Sequence, residues 1–168
     1  MARSDMFLKV TSLRSGVLQG ESTDKAFQNQ IELLDWSWGM SAPAAMDGHR
    51  GRTLLQELKV VKLADRASTG LMSLMDGNDA LKEVLLSVRK GAGAAPLTYW
   101  VLKLGLARIT DYVVASGVSD TGTPVLTERL SFAFKTFEVS YTPQLADGGA
   151  GGASTFRTET GAPPRKGT

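Results

Sequence analysis

Glu128-Arg129-Leu130-Ser131-Phe132-Ala133-Phe134-Lys135-Thr136-Phe137-Glu138-Val139-Ser140-Tyr141 is the stretch on which the fold turns. Leu130, Phe132 and Phe134 recur at every second position, and so do Phe137, Val139 and Tyr141, but the second set is one residue out of step with the first. Successive side chains of a strand point to opposite faces. The slip near Lys135-Thr136 therefore predicts a bulge that re-aims the buried face. A long strand that switches faces belongs in a closed or corner-turning barrel.

Working outward, the same signature recurs. Over residues 30–40, Ile31 and Leu33 share one phase, while Leu34, Trp36, Trp38 and Met40 share the other, with the slip at Leu33-Leu34. Alternation and β-branched or aromatic residues also predict strands over 5–10, 54–63, 81–90 and 97–109. In the last of these, Trp100, Leu102, Leu104 and Leu106 form one stripe. Trp100-Val101-Leu102 and Phe132-Ala133-Phe134 are apolar on both faces, so a second surface is expected to need cover, with subunit contact the natural candidate. One sizeable helix is predicted, capped by Ser68 or Thr69, carrying Leu71, Leu74 and Met75 on one stripe and closing near Gly77. Residues 41–52 turn to Ala, Pro, Gly and charge and read as a long loop.

The chain has 168 residues, 42% of them hydrophobic, enough for one core-bearing domain. We divide it at residues 1–146, the barrel domain, and 147–168, a flexible tail rich in Gly and Pro. Internal repeats are absent from the sequence. Lys plus Arg total 19 against 17 Asp plus Glu, a balance of +2 without a basic block, which argues against nucleic acid as a partner. Without cysteine, the chain has no disulfide framework, thiol nucleophile or thiolate metal site. The start lacks the apolar core of a signal peptide, and no later stretch matches a membrane span. The expectation is a chain made in the cytoplasm, without membrane insertion, that leaves the cell only by a route independent of signal peptides.

Catalytic patterns fail one at a time. The single histidine, His49, sits in the 41–52 loop and would need partners from elsewhere to act as a base or ligand. No Gly-x-Ser-x-Gly elbow or His-Glu-x-x-His pair occurs. Gly91-Ala92-Gly93-Ala94-Ala95-Pro96 starts like a dinucleotide fingerprint, but its third glycine is Pro96 and a strand-like segment follows, so a turn is the better reading. Trp36 and Trp38, with Arg50 and Arg52 nearby, have the makings of a stacking platform for single-stranded nucleic acid; their phase with Leu34 and Met40 favours core or subunit packing. No catalytic, cofactor-binding or metal-binding residue is assigned, and no cofactor is expected.

Several segments in order resemble the haemolysin-coregulated protein (Hcp) family. They are Asp5-Met6-Phe7-Leu8-Lys9, Gly20-Glu21-Ser22, the run from Ile31 to Met40, Leu58-Lys59-Val60-Val61-Lys62 through Asp65 and Ser68, and the strand end Arg89-Lys90. The fullest match runs from Leu126 to Phe132 and then from Phe137 to Gln144, with Asp147-Gly148 beyond. Departures lie in the 42–52 loop and at Ala26-Phe27, where a histidine is frequent in the family. The resemblance implies a mainly β fold: a β-barrel of two packed antiparallel sheets with one short flanking α-helix, assembling as a hexameric ring. It further implies a structural subunit of the type VI secretion inner tube, not an enzyme, whose stacked rings are secreted, meet sheath and spike proteins, and carry small effector proteins in the channel. Two alternatives share parts of the pattern: a phage-type tail-tube subunit, and a monomeric β-barrel binding nucleic acid or a small ligand. A hydrolase is disfavoured, because residues after 148 are too few and too rich in Gly and Pro for a toxic domain.

Overall fold

The computed structural model describes residues 5–44, 51–91 and 96–161. Its elements are β1 (Met6–Ser12), β2 (Gly16–Val17), β3 (Ile31–Glu32), β4 (Asp35–Ser37), β5 (Met40–Ser41), β6 (Leu54–Leu55), β7 (Leu58–Leu63), α1 (Ser68–Asp76), β8 (Leu81–Lys90), β9 (Leu97–Val118), β10 (Pro124–Ala133), β11 (Thr136–Tyr141) and β12 (Ser154–Glu159). A hydrogen-bonded path runs β2-β1-β8-β9-β10-β7-β4, with β11 and β12 continuing from β9 and β3 added to β1. The strand pairs in this path are antiparallel. β5 and β6 pair separately.

The architecture is two packed sheets that share β9. Its first half pairs with β8 on one edge and β11 on the other, and its second half pairs with β10. The bend between the halves falls at Gly105-Leu106. Leu106 has φ of 47°, in the left-handed region that costs a β-carbon-bearing residue about 1–3 kcal/mol. A β-carbon on Gly105 would collide with the Thr136 hydroxyl, so any larger residue there must push that side chain aside at the corner. Leu106, expected in the stripe with Leu104, is instead exposed, and the buried positions shift to Ala107 and Ile109. The stripe reading missed this because it did not allow a corner inside β9.

The two slips that the sequence did mark are also corners. The expected strand over 128–141 is two strands: β10 pairs with β7 and β9 in one sheet, and β11 with β9 and β12 in the other. Lys135 donates its backbone N–H to the Gly105 carbonyl at 3.1 Å, which ties the two bends together. The expected strand over 30–40 is three short ones. At its slip, Leu33 N–H bonds to the Met6 carbonyl at 2.9 Å while Leu34 N–H bonds to the Val61 carbonyl at 2.7 Å. Consecutive residues thus bond to β1 and to β7, and this step forms the second seam between the sheets.

The core lies between the sheets and under α1. Ile31, Leu58, Leu71, Leu81, Leu86, Leu102 and Phe132 are fully buried there, and Leu74 closes the helix stripe as expected. The helix start differs from expectation. Its cap position is Ala67, which provides no side-chain bond; Asp65 Oδ1 accepts the Ala67 N–H at 3.0 Å instead. Ser68 is engaged elsewhere, as described below. Of the apolar second faces, Val101 and Ala133 are half-buried, while Leu102, Phe132 and Phe134 on the first are buried in the core. The expected flexible tail from 147 fails for Ser154–Glu159, which continues the sheet as β12 through six cross-strand pairs with β11. Its Thr-Phe-Arg-Thr alternation is a weak strand signal that the surrounding glycines masked. His49, Arg50, Gly93 and residues 162–168 lie outside the described residues.

Candidate functional site

The sequence-derived stacking platform is closed. Trp36 half-buries against Trp100, centroid to centroid 6.1 Å, and Trp38 stacks on Phe137 at 4.0 Å with planes 19° apart. Both rings are therefore used as packing, as the phase argument favoured, and their faces are not offered to bases. Among the described residues, no group of three or more His, Asp or Glu side chains is placed to hold a metal ion. No described helix is long and apolar enough to cross a membrane.

Among the described residues, two buried polar clusters centre on Lys62 and Arg89, and both spend their hydrogen bonds internally. Lys62, 0% exposed, donates from Nζ to Glu128 Oε2 at 2.5 Å, to Asp65 Oδ1 at 2.9 Å and to Ser68 Oγ at 3.2 Å. An ammonium has three donors, so none remains for a substrate. Ser68 Oγ also donates to Glu128 Oε2 at 2.9 Å and accepts the Asp65 N–H at 2.9 Å. Tyr112 donates to the Ser68 carbonyl at 3.5 Å, and burial, reinforced by the Glu128 carboxylate, raises its phenol above the usual range. The cluster locks α1 onto β7 and β10.

The second cluster centres on Arg89. Its Nη2 donates to Asp24 Oδ2 at 2.7 Å and its Nε lies 3.4 Å from Asp5 Oδ1. The hydrogen bond to Asp24 is the main reason its pKa is raised, against an opposing effect of burial. The guanidinium lies 5.1 Å from the Phe7 ring and 5.6 Å from the Phe27 ring, which stack on each other at 4.3 Å. Phe27, one of the departures noted in the sequence, is thus seated in a packed cation–aromatic contact. An open cleft of about 500 Å³ lies across β9, β11 and β12, but its charges pair along the sheet, with Arg157 Nε 2.6 Å from Glu138 Oε2. None of these sites presents a nucleophile, a base and an oxyanion donor together.

What the chain does present is unfinished strand surface. The β9–β10 ladder continues past the last β7 partner, Leu63 opposite Thr127, as a two-stranded arm over residues 116–126. Cross-strand partners share a face, so Tyr112, Val114, Ser116 and Val118 lie in one row with Leu130, Glu128, Leu126 and Pro124. Glu128 and Leu130 are buried, yet Leu126 is 54% exposed and Val118 71%. The core-facing row runs off the end of the core. Asp120 is the single charged residue between Val113 and Thr127. The strand expected over 97–109 thus runs on to Val118, which the sequence reading missed. At the other end, β12 leaves one edge without a described strand partner, and Tyr141 and Phe156 there are exposed. Phe156 faces Val139 across the ladder and meets Phe137 edge-on at 6.4 Å, so here too the core-facing row runs out.

Comparison with known proteins places this surface in context. The sequence profile of the family described as type VI secretion system effector, Hcp, matches residues 7–141. The chain is 32% identical to the Hcp1 protein of Pseudomonas aeruginosa over 152 residues, covering 88% of this chain and 89% of the relative. Among solved structures, it superposes on a type six secretion system protein with a TM-score of 0.78 at 24% identity, covering 92% of this chain and 96% of the other. It superposes on a type VI secretion system effector from Yersinia pestis with a TM-score of 0.69 at 24% identity, covering 93% and 100%. The two structural likenesses speak for the fold.

Proposed function

The chain belongs to the Hcp family and is a structural subunit of the type VI secretion tube, and from this premise we propose that it closes into hexameric rings whose stacked channel carries small effector proteins. The observation that carries this reading is the family match over residues 7–141, which begins in β1 and ends with β11. The physical features agree with it. The polar clusters around Lys62 and Arg89 are consumed by internal bonds, which suits a scaffold. Apolar strand surface is left over at two places, as a subunit of a closed assembly requires.

In this reading the protein is loaded from the cytoplasm without a signal peptide, meets a sheath outside the tube and a spike at its tip, and is exported with its cargo. Ring stacking uses the loop over residues 42–52. The test is the native mass of the purified chain by size exclusion with light scattering, and negative-stain images of the same fraction. A ring of six subunits is expected. A monomer that persists at high protein concentration would falsify the reading.

A further inference from the structure

β12 belongs to the sheet without belonging to the core, and from this we infer that it is a strap, one that lifts off β11 as a unit while the rest of the fold stays closed. The inference concerns the chain's own conformations and does not rest on the ring reading.

The contrast with the inner strands carries the argument. β1 places Phe7, Leu8 and Val10, and β8 places Leu81, Val84 and Leu86, at 1% exposure or less. β12 forms six cross-strand pairs, yet it adds no residue to the buried apolar set: Ser154, Thr155, Phe156, Arg157 and Glu159 are exposed, and Thr158 is half-buried. Among the described strands it pairs with β11 alone. Its one aromatic side chain, Phe156, stays 42% exposed and meets Phe137 edge-on. Phe137 is also stacked on Trp38 and packed against Phe134, so lifting β12 leaves the core covered. Ladder bonds traded for bonds to water cost only about 0.5–1.5 kcal/mol each. A strand held by such bonds, with little apolar surface buried, opens well below the free energy of global unfolding.

The fastenings lie on the surface and at one end. Arg157 Nε is 2.6 Å from Glu138 Oε2, but the arginine side chain is 72% exposed, where an ion pair contributes little. The Thr155 and Ser140 hydroxyls lie 3.3 Å apart, also in solvent. Just past the strand, Thr160 donates its backbone N–H to the Lys135 carbonyl at 2.8 Å and its hydroxyl to the Phe134 carbonyl at 2.9 Å. Those bonds tie it to the corner between the sheets, and Thr160 is the clasp. At the other end the turn closes on itself, with Leu145 N–H on the Gly149 carbonyl and Gly151 N–H on the Pro143 carbonyl, each at 2.8 Å. Gly152 follows, exposed and with open space where a β-carbon would stand, and it serves as the hinge. Rotation there carries β12 away and uncovers the outer edge of β11.

Hydrogen exchange of the purified full-length chain, read by mass spectrometry, tests the strap. Amides of residues 154–159 are expected to exchange roughly 100-fold faster, or more, than those of β8 and β10. Thr160→Ala is expected to speed exchange within β12 by a further factor of roughly five, with β8 and β10 unchanged. Trypsin is expected to cut after Arg157 ahead of Lys103 and Arg129, although all three lie in strands. Amides of β12 that exchange no faster than those of β8 and β10 overturn the inference, and so does a Thr160→Ala effect spread evenly over the three strands. Ring formation is read separately from the native mass, so a failure of the strap leaves that reading untouched.

Discussion

Over residues 108–115 and 127–133 the β9–β10 ladder lies alongside β7, with α1 packed on it, whereas over 116–126 the same ladder runs past the end of β7. The residue types hardly change between the halves. Ile109 and Phe132 are buried in one, and Val118 and Leu126 are exposed in the other. What differs is the supply of neighbours. The inner half is held by β7, by the helix and by the Lys62–Glu128 pair, while the outer half has its own cross-strand bonds and, at its root, the Ala64 N–H on the Leu126 carbonyl at 3.0 Å. Strand-forming composition thus reports that a segment pairs, and says nothing about what will cover it.

This contrast can be broken most forcefully at the buried pair. Glu128→Ala strands the Lys62 ammonium in the interior and is expected to lower stability by about 3–5 kcal/mol, read from urea denaturation, while Lys62→Met/Glu128→Leu recovers most of the loss. Equal losses in the single and double variants would show that the pair's geometry, not its charge, holds α1. At the corner between the sheets, Gly105→Ala is expected to cost about 1–3 kcal/mol through the clash with the Thr136 hydroxyl, partly relieved by Thr136→Ala. On the arm, Val118→Thr is expected to change the unfolding free energy of the isolated subunit by less than about 0.5 kcal/mol, as at ordinary surface positions. A larger loss would mean that the arm packs within its own subunit.

The smallest effect is a pH dependence. The raised pKa of Tyr112 keeps its phenol neutral in the folded state while an unfolded tyrosine ionises near about pH 10. The unfolded state then releases its proton first, so this contribution to stability is complete below about pH 10 and is lost as the pH rises toward the folded value. Any advantage of wild type over Tyr112→Phe in thermal unfolding should therefore shrink above about pH 10. A constant difference between pH 8 and pH 11 would place the phenol in solvent.

Two of the three corners were legible before any coordinates. The slips at Leu33-Leu34 and Lys135-Thr136 appear as changes of alternation, because a strand that leaves one sheet for another must re-aim its buried side chains. The third, at Gly105-Leu106, was hidden: Leu104 and Leu106 continue the pattern although Leu106 faces outward. The shift to Ala107 and Ile109, with a glycine just before it, was the available signal. β12 was lost among glycines, and the Lys62, Glu128 and Ser68 cluster offered no spacing to find, since its members are brought together from β7, β10 and α1.

The sequence by itself determined the strand-rich fold, the single helix with its Leu71–Leu74 stripe, the lack of thiol chemistry and the family resemblance, because alternation, composition and ordered motifs are properties of the chain read locally. Tertiary structure alone decided which edge of β9 each strand occupies, that Lys62 finds Glu128, and that the core's apolar rows run out at the arm and at β12. Those facts depend on pairing between residues far apart in the chain, where the side-chain pattern constrains a strand's faces but leaves the choice of neighbour to the packing of the whole.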